Sequence, residues 1–158
     1  MIRPTTPDDV PALIALTVAA GLFPADETAV LDQMFADYFG GSINTGHLCL
    51  TDDLDGSPCG VAYCSPAAAT EGTVYLLLIA VRPDRQGQGH GAALLRQAEE
   101  ALRASGRRLL LAETSGLPSF EGARAFYAKC GYEEEARIRD YYAAGDDMVA
   151  FRKVLSAL

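Results

Sequence analysis

The spacing of apolar residues changes several times along the chain, and each change marks an element. Val10, Leu13, Ile14 and Thr17 recur at helical spacing behind Thr6-Pro7-Asp8-Asp9. There Thr6 can cap, Pro7 takes the first helical position and the acids face the helix dipole. Gly21 ends this helix and Pro24 keeps it from resuming. A second apolar stripe, Val30, Leu31, Met34, Phe35 and Tyr38, predicts a helix from about Asp26 to Tyr38, stopped by Gly40-Gly41. Gly46 to Thr51 and Cys59 to Ser65 read as strands. Asp53-Leu54-Asp55-Gly56 joins them as a tight turn, because Asp-Gly accepts the positive φ of a hairpin. Ala67 to Gly72 is a loop. Thr73 to Val81 is too continuously apolar for a half-exposed strand, so it is buried. These three strands lie close enough in sequence for an antiparallel meander.

Beyond Val81 the period returns to helical. Ala93, Leu94, Leu95, Ala98, Ala101 and Leu102 line a helix that ends at Ser105-Gly106. Leu109-Leu110-Leu111-Ala112 is a strand, and strand, helix and strand joined this way form a right-handed parallel crossover. Ser115 to Ser119 is a loop, and Ser119 caps a short helix that runs to Lys129 and stops at Gly131. Tyr132 to Tyr142 and Asp147 to Val154 form a last hairpin around Ala143-Ala144-Gly145-Asp146. No repeat, linker or low-complexity stretch interrupts the pattern, so residues 1–158 are expected to form one domain.

Composition narrows the function classes. With 49% hydrophobic and 22% charged residues the chain is globular. No apolar run reaches the roughly 20 residues of a membrane helix. Met1-Ile2-Arg3-Pro4 lacks a signal peptide's apolar region, so a cytoplasmic location is expected. The net charge of −8 argues against nucleic acid and mildly favours a cationic partner. Cys49, Cys59, Cys64 and Cys130 form no CxxC pair. They are expected to be small buried hydrophobes, with no metal.

The richest chemistry lies in Arg82-Pro83-Asp84-Arg85-Gln86-Gly87-Gln88-Gly89-His90-Gly91-Ala92. Alternate glycines let the backbone approach a ligand closely, and the following helix start offers free N–H groups and the positive end of a dipole. Such a site suits phosphate oxygens, and it is read as holding the pyrophosphate of a nucleotide-bearing cofactor. A Walker loop is excluded, since no Gly-Lys-Ser/Thr is present. Gly87-x-Gly89-x-x-Ala92 also meets the dinucleotide fingerprint. However, Arg82 to Gln86 separate it from the strand, and some 80 residues of other structure precede it.

Gln86-x-x-Gly89-x-Gly91 resembles the Gln/Arg-x-x-Gly-x-Gly/Ala signature of the GNAT superfamily of N-acetyltransferases. Ile79-Ala80-Val81-Arg82-Pro83 resembles the strand that leads into that loop. Ala123 to Tyr132, with Tyr127, Gly131 and Tyr132, resembles the family's second block. The resemblance implies an α/β (α+β) fold with a mixed, splayed sheet of about six to seven strands and helices on both faces. It implies acetyl-CoA as cosubstrate, held by Gln86, Gly87, Gln88, Gly89, His90, Gly91 and Ala92 at the pyrophosphate. Ile79, Ala80 and Val81 would pair with the pantetheine arm like an added strand, with Tyr127 near the sulfur.

By the same resemblance the Val81 N–H is the oxyanion donor and Tyr127 the general acid. Glu113 is the candidate base, direct or through water, and the alternative reading is a solvated strand end. His47 and His90 have a suitable pKa class, but His47 reads as a strand residue and His90 matters for its backbone. The acceptor amine is expected between the first helix pair and the last hairpin, near Phe23, Glu113 and Tyr142, with Tyr141, Asp146 and Asp147 as further candidates. Three residues depart from the family's usual pattern: Gln86 for Arg, His90 for an apolar residue, and Phe120 for Asn. The expected activity is acetyl transfer to a primary amine of a small molecule. The alternatives are a protein or peptide amine and a non-catalytic acetyl-CoA-binding module. The family often forms homodimers.

Overall fold

A strand that the apolar pattern does not announce opens the chain. In the computed structural model, which describes residues 1–156, β1 (Ile2–Pro4) pairs antiparallel with β2 (Leu48–Leu54). Three residues carry too little periodicity to read. Position is set by Arg3, whose guanidinium bridges Asp9 at 2.7 Å and Asp53 at 2.8 Å. Asp9 therefore does not serve the helix dipole in the way the sequence suggests. It is buried, accepts from the Thr6 N–H and hydroxyl, and pairs with Arg3. That charge holds its carboxyl down at about 2. Pro7–Asp9 form a 3-10 turn, and α1 (Val10–Ala19) starts after it.

The second helix, α2 (Ala29–Gly40), begins three residues later than expected, at Ala29 rather than Asp26. Residues 24–28 form a turn in which Glu27 N–H bonds Pro24 O. Leu31, Phe35 and Tyr38 are buried, but Val30 is 64% exposed. The apolar stripe is wider than the core contact it makes. β2 and β3 (Ser57–Pro66) meet at the expected turn, with Asp55 at φ 52° and Gly56 at φ 83°.

β3 pairs with β4 (Thr73–Val81), and β4 runs parallel to β5 (Leu109–Ser115) through the crossover helix α3 (His90–Ala104). β5 extends three residues beyond the expected Ala112, since β7 (Asp146–Val154) pairs along its whole length. A short helix, α4 (Glu121–Lys129), leads to β6 (Glu133–Ala143), which pairs with β7 at the sheet edge. The sheet has seven strands in the order β1-β2-β3-β4-β5-β7-β6. The expected mixed sheet with helices on both faces is present. The last two residues of the expected domain lie outside the described ones.

Two cores flank the sheet. Leu13, Leu16, Leu31 and Phe35 pack with Val61, Tyr63, Leu78 and Ala80 on one face. On the other face, Leu94, Leu95 and Ala98 pack with Val74, Leu76, Leu110 and Phe151. In β4 the two sets cross over: Val74 and Leu76 join one core, Leu78 and Ala80 the other. Alternation alone would keep all four on one face. The reason is a β-bulge: Leu76 faces Cys64 and Leu78 faces Tyr63, so Leu77 is an extra residue.

Candidate active site

The bulge coincides with the opening of the sheet. β4 and β5 pair from Thr73↔Leu109 to Leu76↔Ala112 and no further. Beyond that point β4 still pairs with β3 up to Gly60↔Val81, and β5 with β7 up to Ser115↔Met148. A wedge therefore opens between Leu77–Val81 and Glu113–Ser115. Arg82 N–H donates to Cys59 O at 2.8 Å. Strand alternation then turns Ala80 N–H toward β3, and Ile79 and Val81 N–H into the wedge. The wedge thus presents backbone donors and acceptors without strand partners, which a chain rich in amides can pair.

The glycine loop closes one end of the wedge. Gln86 Nε2 donates to Val81 O at 2.9 Å, and Gln88 Nε2 to Asp84 O at 3.1 Å. Arg82 pairs with Asp84 at 2.6 Å. The glutamines thus hold the loop by their side chains, and among the described residues the amides from Gly87 to Ala92 have no partner. Gly89 caps α3 at φ 89°, a left-handed value that suits glycine. Ala93 N–H to Gly89 O, at 3.0 Å, begins the helix ladder, so the N–H groups of His90, Gly91 and Ala92 precede it. At Gly91 a Cβ would lie 3.2 Å from the Phe126 ring, so the missing side chain lets α4 pack against the start of α3.

The His90 ring turns away from this loop. Its Nδ1 sits 2.7 Å from Asp52 Oδ2 and 3.8 Å from Cys59 Sγ. Asp52 is buried, and His90 supplies it with a hydrogen-bond partner. An apolar residue at position 90 would leave that carboxylate short of one. The pair therefore explains the departure at His90, and it ties the first residue of α3 to β2.

Tyr127 lies 6% exposed in the second core, against Phe126, Tyr132 and Phe151. No hydrogen bond to its hydroxyl is found among the described residues. Burial pushes its pKa well up, helped by Cys130 and then Tyr142. The phenol therefore stays protonated through the whole physiological range. Glu113 is exposed on β5 and pairs its backbone with Ala150. Burial raises the Tyr142 pKa, and the charge of Glu113 adds to the rise; Tyr142 stands on β6, on the β5 side of the wedge. Asp146 and Asp147 are half-buried and already have partners within the chain. Asp146 accepts from Ser115, and Asp147 from Arg137 and the Asp140 N–H, each at 3.0 Å.

Phe23 packs against the first core, on the opposite face of the sheet from Tyr127. It lines a cleft of about 710 Å³ with Val30, Met34, His47, Tyr63 and the bulge residues Leu77 and Leu78. The sequence pattern did not bring His47 and Tyr63 here. They meet only through β2–β3 pairing, with His47 Nδ1 2.7 Å from the Tyr63 hydroxyl.

Residues 16–132 match the model of the acetyltransferase (GNAT) family. The chain belongs to the GNAT family of acetyltransferases. A GNAT-family protein of Desulfovibrio desulfuricans is 32% identical, with a TM-score of 0.93 over 99% of both chains. The ribosomal-protein-S18-alanine N-acetyltransferase of Escherichia coli is 25% identical, with a TM-score of 0.81 over 100% of this GNAT chain and 95% of its own. An aminoglycoside 6'-N-acetyltransferase complexed with coenzyme A is 14% identical, with a TM-score of 0.81 over 100% and 98%. No curated protein matches the chain.

Proposed function

We propose that the protein transfers the acetyl group of acetyl-CoA directly to a primary amine of a small molecule. The observation that carries this reading is the wedge: unpaired Ile79 and Val81 amides run into free N–H groups at the head of α3. That arrangement suits a ligand with an amide-bearing arm and a diphosphate. Gly87, Gln88, Gly89, His90, Gly91 and Ala92 would hold the diphosphate through backbone N–H groups, with Gln86 bracing the loop. Ile79, Ala80 and Val81 would align the arm. Acetyl-CoA supplies an acetyl group as a thioester.

The amine must be neutral to attack. Its nitrogen bonds the carbonyl carbon, the C–S bond breaks, and one proton leaves nitrogen while one reaches sulfur, giving an amide and free CoA. Val81 N–H would donate to the carbonyl oxygen as charge builds there. Tyr127, kept protonated by burial, gives the sulfur its proton. Glu113 takes the amine proton, directly or through water. Free CoA released from acetyl-CoA with a panel of primary amines tests the reading; tight acetyl-CoA binding with no turnover on any amine would favour a binding module instead. The S18-alanine neighbour supports the peptide alternative, which an alanine-terminated peptide in the same assay decides.

A further inference from the structure

Resting on the acetyl-transfer reading, we infer that the acceptor is a primary monoamine carried on an apolar alkyl or aryl body, bound in the cleft between α2 and the β4 bulge. The cleft meets the wedge at Leu77 and Leu78, directly before Ile79 in the strand. Its volume of about 710 Å³ falls among sites that enclose whole small molecules.

Its walls decide the chemistry. Leu77 is 56% and Val30 64% exposed, and Phe23 and Met34 stand half-buried beside them. Such side chains gain by covering with apolar surface and gain nothing from a sugar or a polyamine. Asp37 is the one carboxylate in the lining, and its Oδ1 already accepts from Gln33 at 2.8 Å. His47, also in the lining, has its pKa lowered by burial and adds no charge at neutral pH. A ligand with several ammonium groups therefore meets one counter-charge, and every further ammonium would lose water without a partner. The free carboxylate of an amino acid would face the same apolar wall next to Asp37. A monoamine brings one cation, which it sheds before reacting, and an apolar remainder that matches the walls.

The test compares kcat/KM for phenethylamine and hexylamine with spermidine, lysine, an aminoglycoside and an alanine-terminated peptide, using CoA release. The two apolar amines should lead by at least about tenfold. Preference for any of the other four overturns the inference. A second arm uses Val30→Gln, a neutral polar change on an exposed helix position. It should raise KM for phenethylamine about tenfold or more and leave kcat nearly unchanged; an unchanged KM overturns the inference. Calorimetry of phenethylamine with the CoA-loaded protein separates the two levels. Binding that Val30→Gln weakens about tenfold, without turnover of any amine, sinks acetyl transfer and keeps the cleft assignment. Absence of binding sinks the cleft assignment.

Discussion

The side chain of Gln86 donates to the main-chain oxygen of Val81 at 2.9 Å, so the residue that starts the glycine loop grips the residue that ends β4. The loop amides and the wedge amides are thereby held in fixed relation. Gln86→Ala removes a bond worth about 1 kcal/mol. It should raise KM for acetyl-CoA about fivefold, with a smaller change in kcat, in steady-state kinetics. An unchanged KM would show that the loop keeps its place without this contact.

Among the described residues Tyr127 has no hydrogen-bond partner for its hydroxyl, so the hydroxyl can be removed without a structural penalty. Tyr127→Phe should lower kcat by about 10²- to 10⁴-fold while leaving the melting temperature within a degree or two of the parent. Because burial raises the phenol's pKa, the parent enzyme should show no alkaline loss of activity from this group up to about pH 10. A variant with full activity would remove Tyr127 from its role.

Glu99 is buried on α3, where it accepts from the Tyr132 hydroxyl and from Lys153 Nζ, both at 2.8 Å. Lys153 also donates to Cys130 O at 2.9 Å. The network ties α3 to β7 and to the turn after Tyr127. Lys153→Met leaves the carboxylate with one neutral donor and should destabilise by about 2–3 kcal/mol, read by urea unfolding. An unchanged midpoint would show that Tyr132 alone satisfies Glu99.

The Arg3–Asp9 pair makes acid sensitivity predictable. The Asp9 pKa is depressed, from an ordinary 3.8 to about 2 in the fold. Its contribution is therefore complete above the unfolded value and disappears as pH falls from about 4 to about 2. Asp9→Asn should be less stable at pH 7 by roughly 1–2 kcal/mol. The gap to the parent should close by about pH 2. A gap of constant size across that range would show that charge is not what the pair contributes.

Asp52 anchors His90 and with it the first turn of α3. His90→Leu should leave the buried Asp52 carboxylate with its more distant partner, the Met1 ammonium at 3.4 Å, lower the melting temperature and weaken acetyl-CoA binding together. His90→Gln restores a donor and should recover part of both. Equal behaviour of the two variants would mean the pair does not position the loop.

Most of the fold was legible in periodicity. β4 runs from Thr73 to Val81 as expected, the Asp55-Gly56 turn forms where Asp-Gly stands, and the helix behind the glycines ends just before Ser105-Gly106. These are local decisions, set by apolar spacing and by residues that tolerate positive φ. The glycine loop and the Tyr127 block were legible because few residue types can occupy them. Other features required distant partners. β1 exists because Arg3 finds Asp9 and Asp53. His90 turns to Asp52 across 38 residues. Leu77 becomes an extra residue only when β3 sets the register on one side and β5 stops pairing on the other. The apolar run from Leu76 to Val81 carries no mark of which residue will bulge, since each fits a buried strand equally well. The wedge and the cleft that meets it are therefore products of strand pairing between segments far apart in the chain.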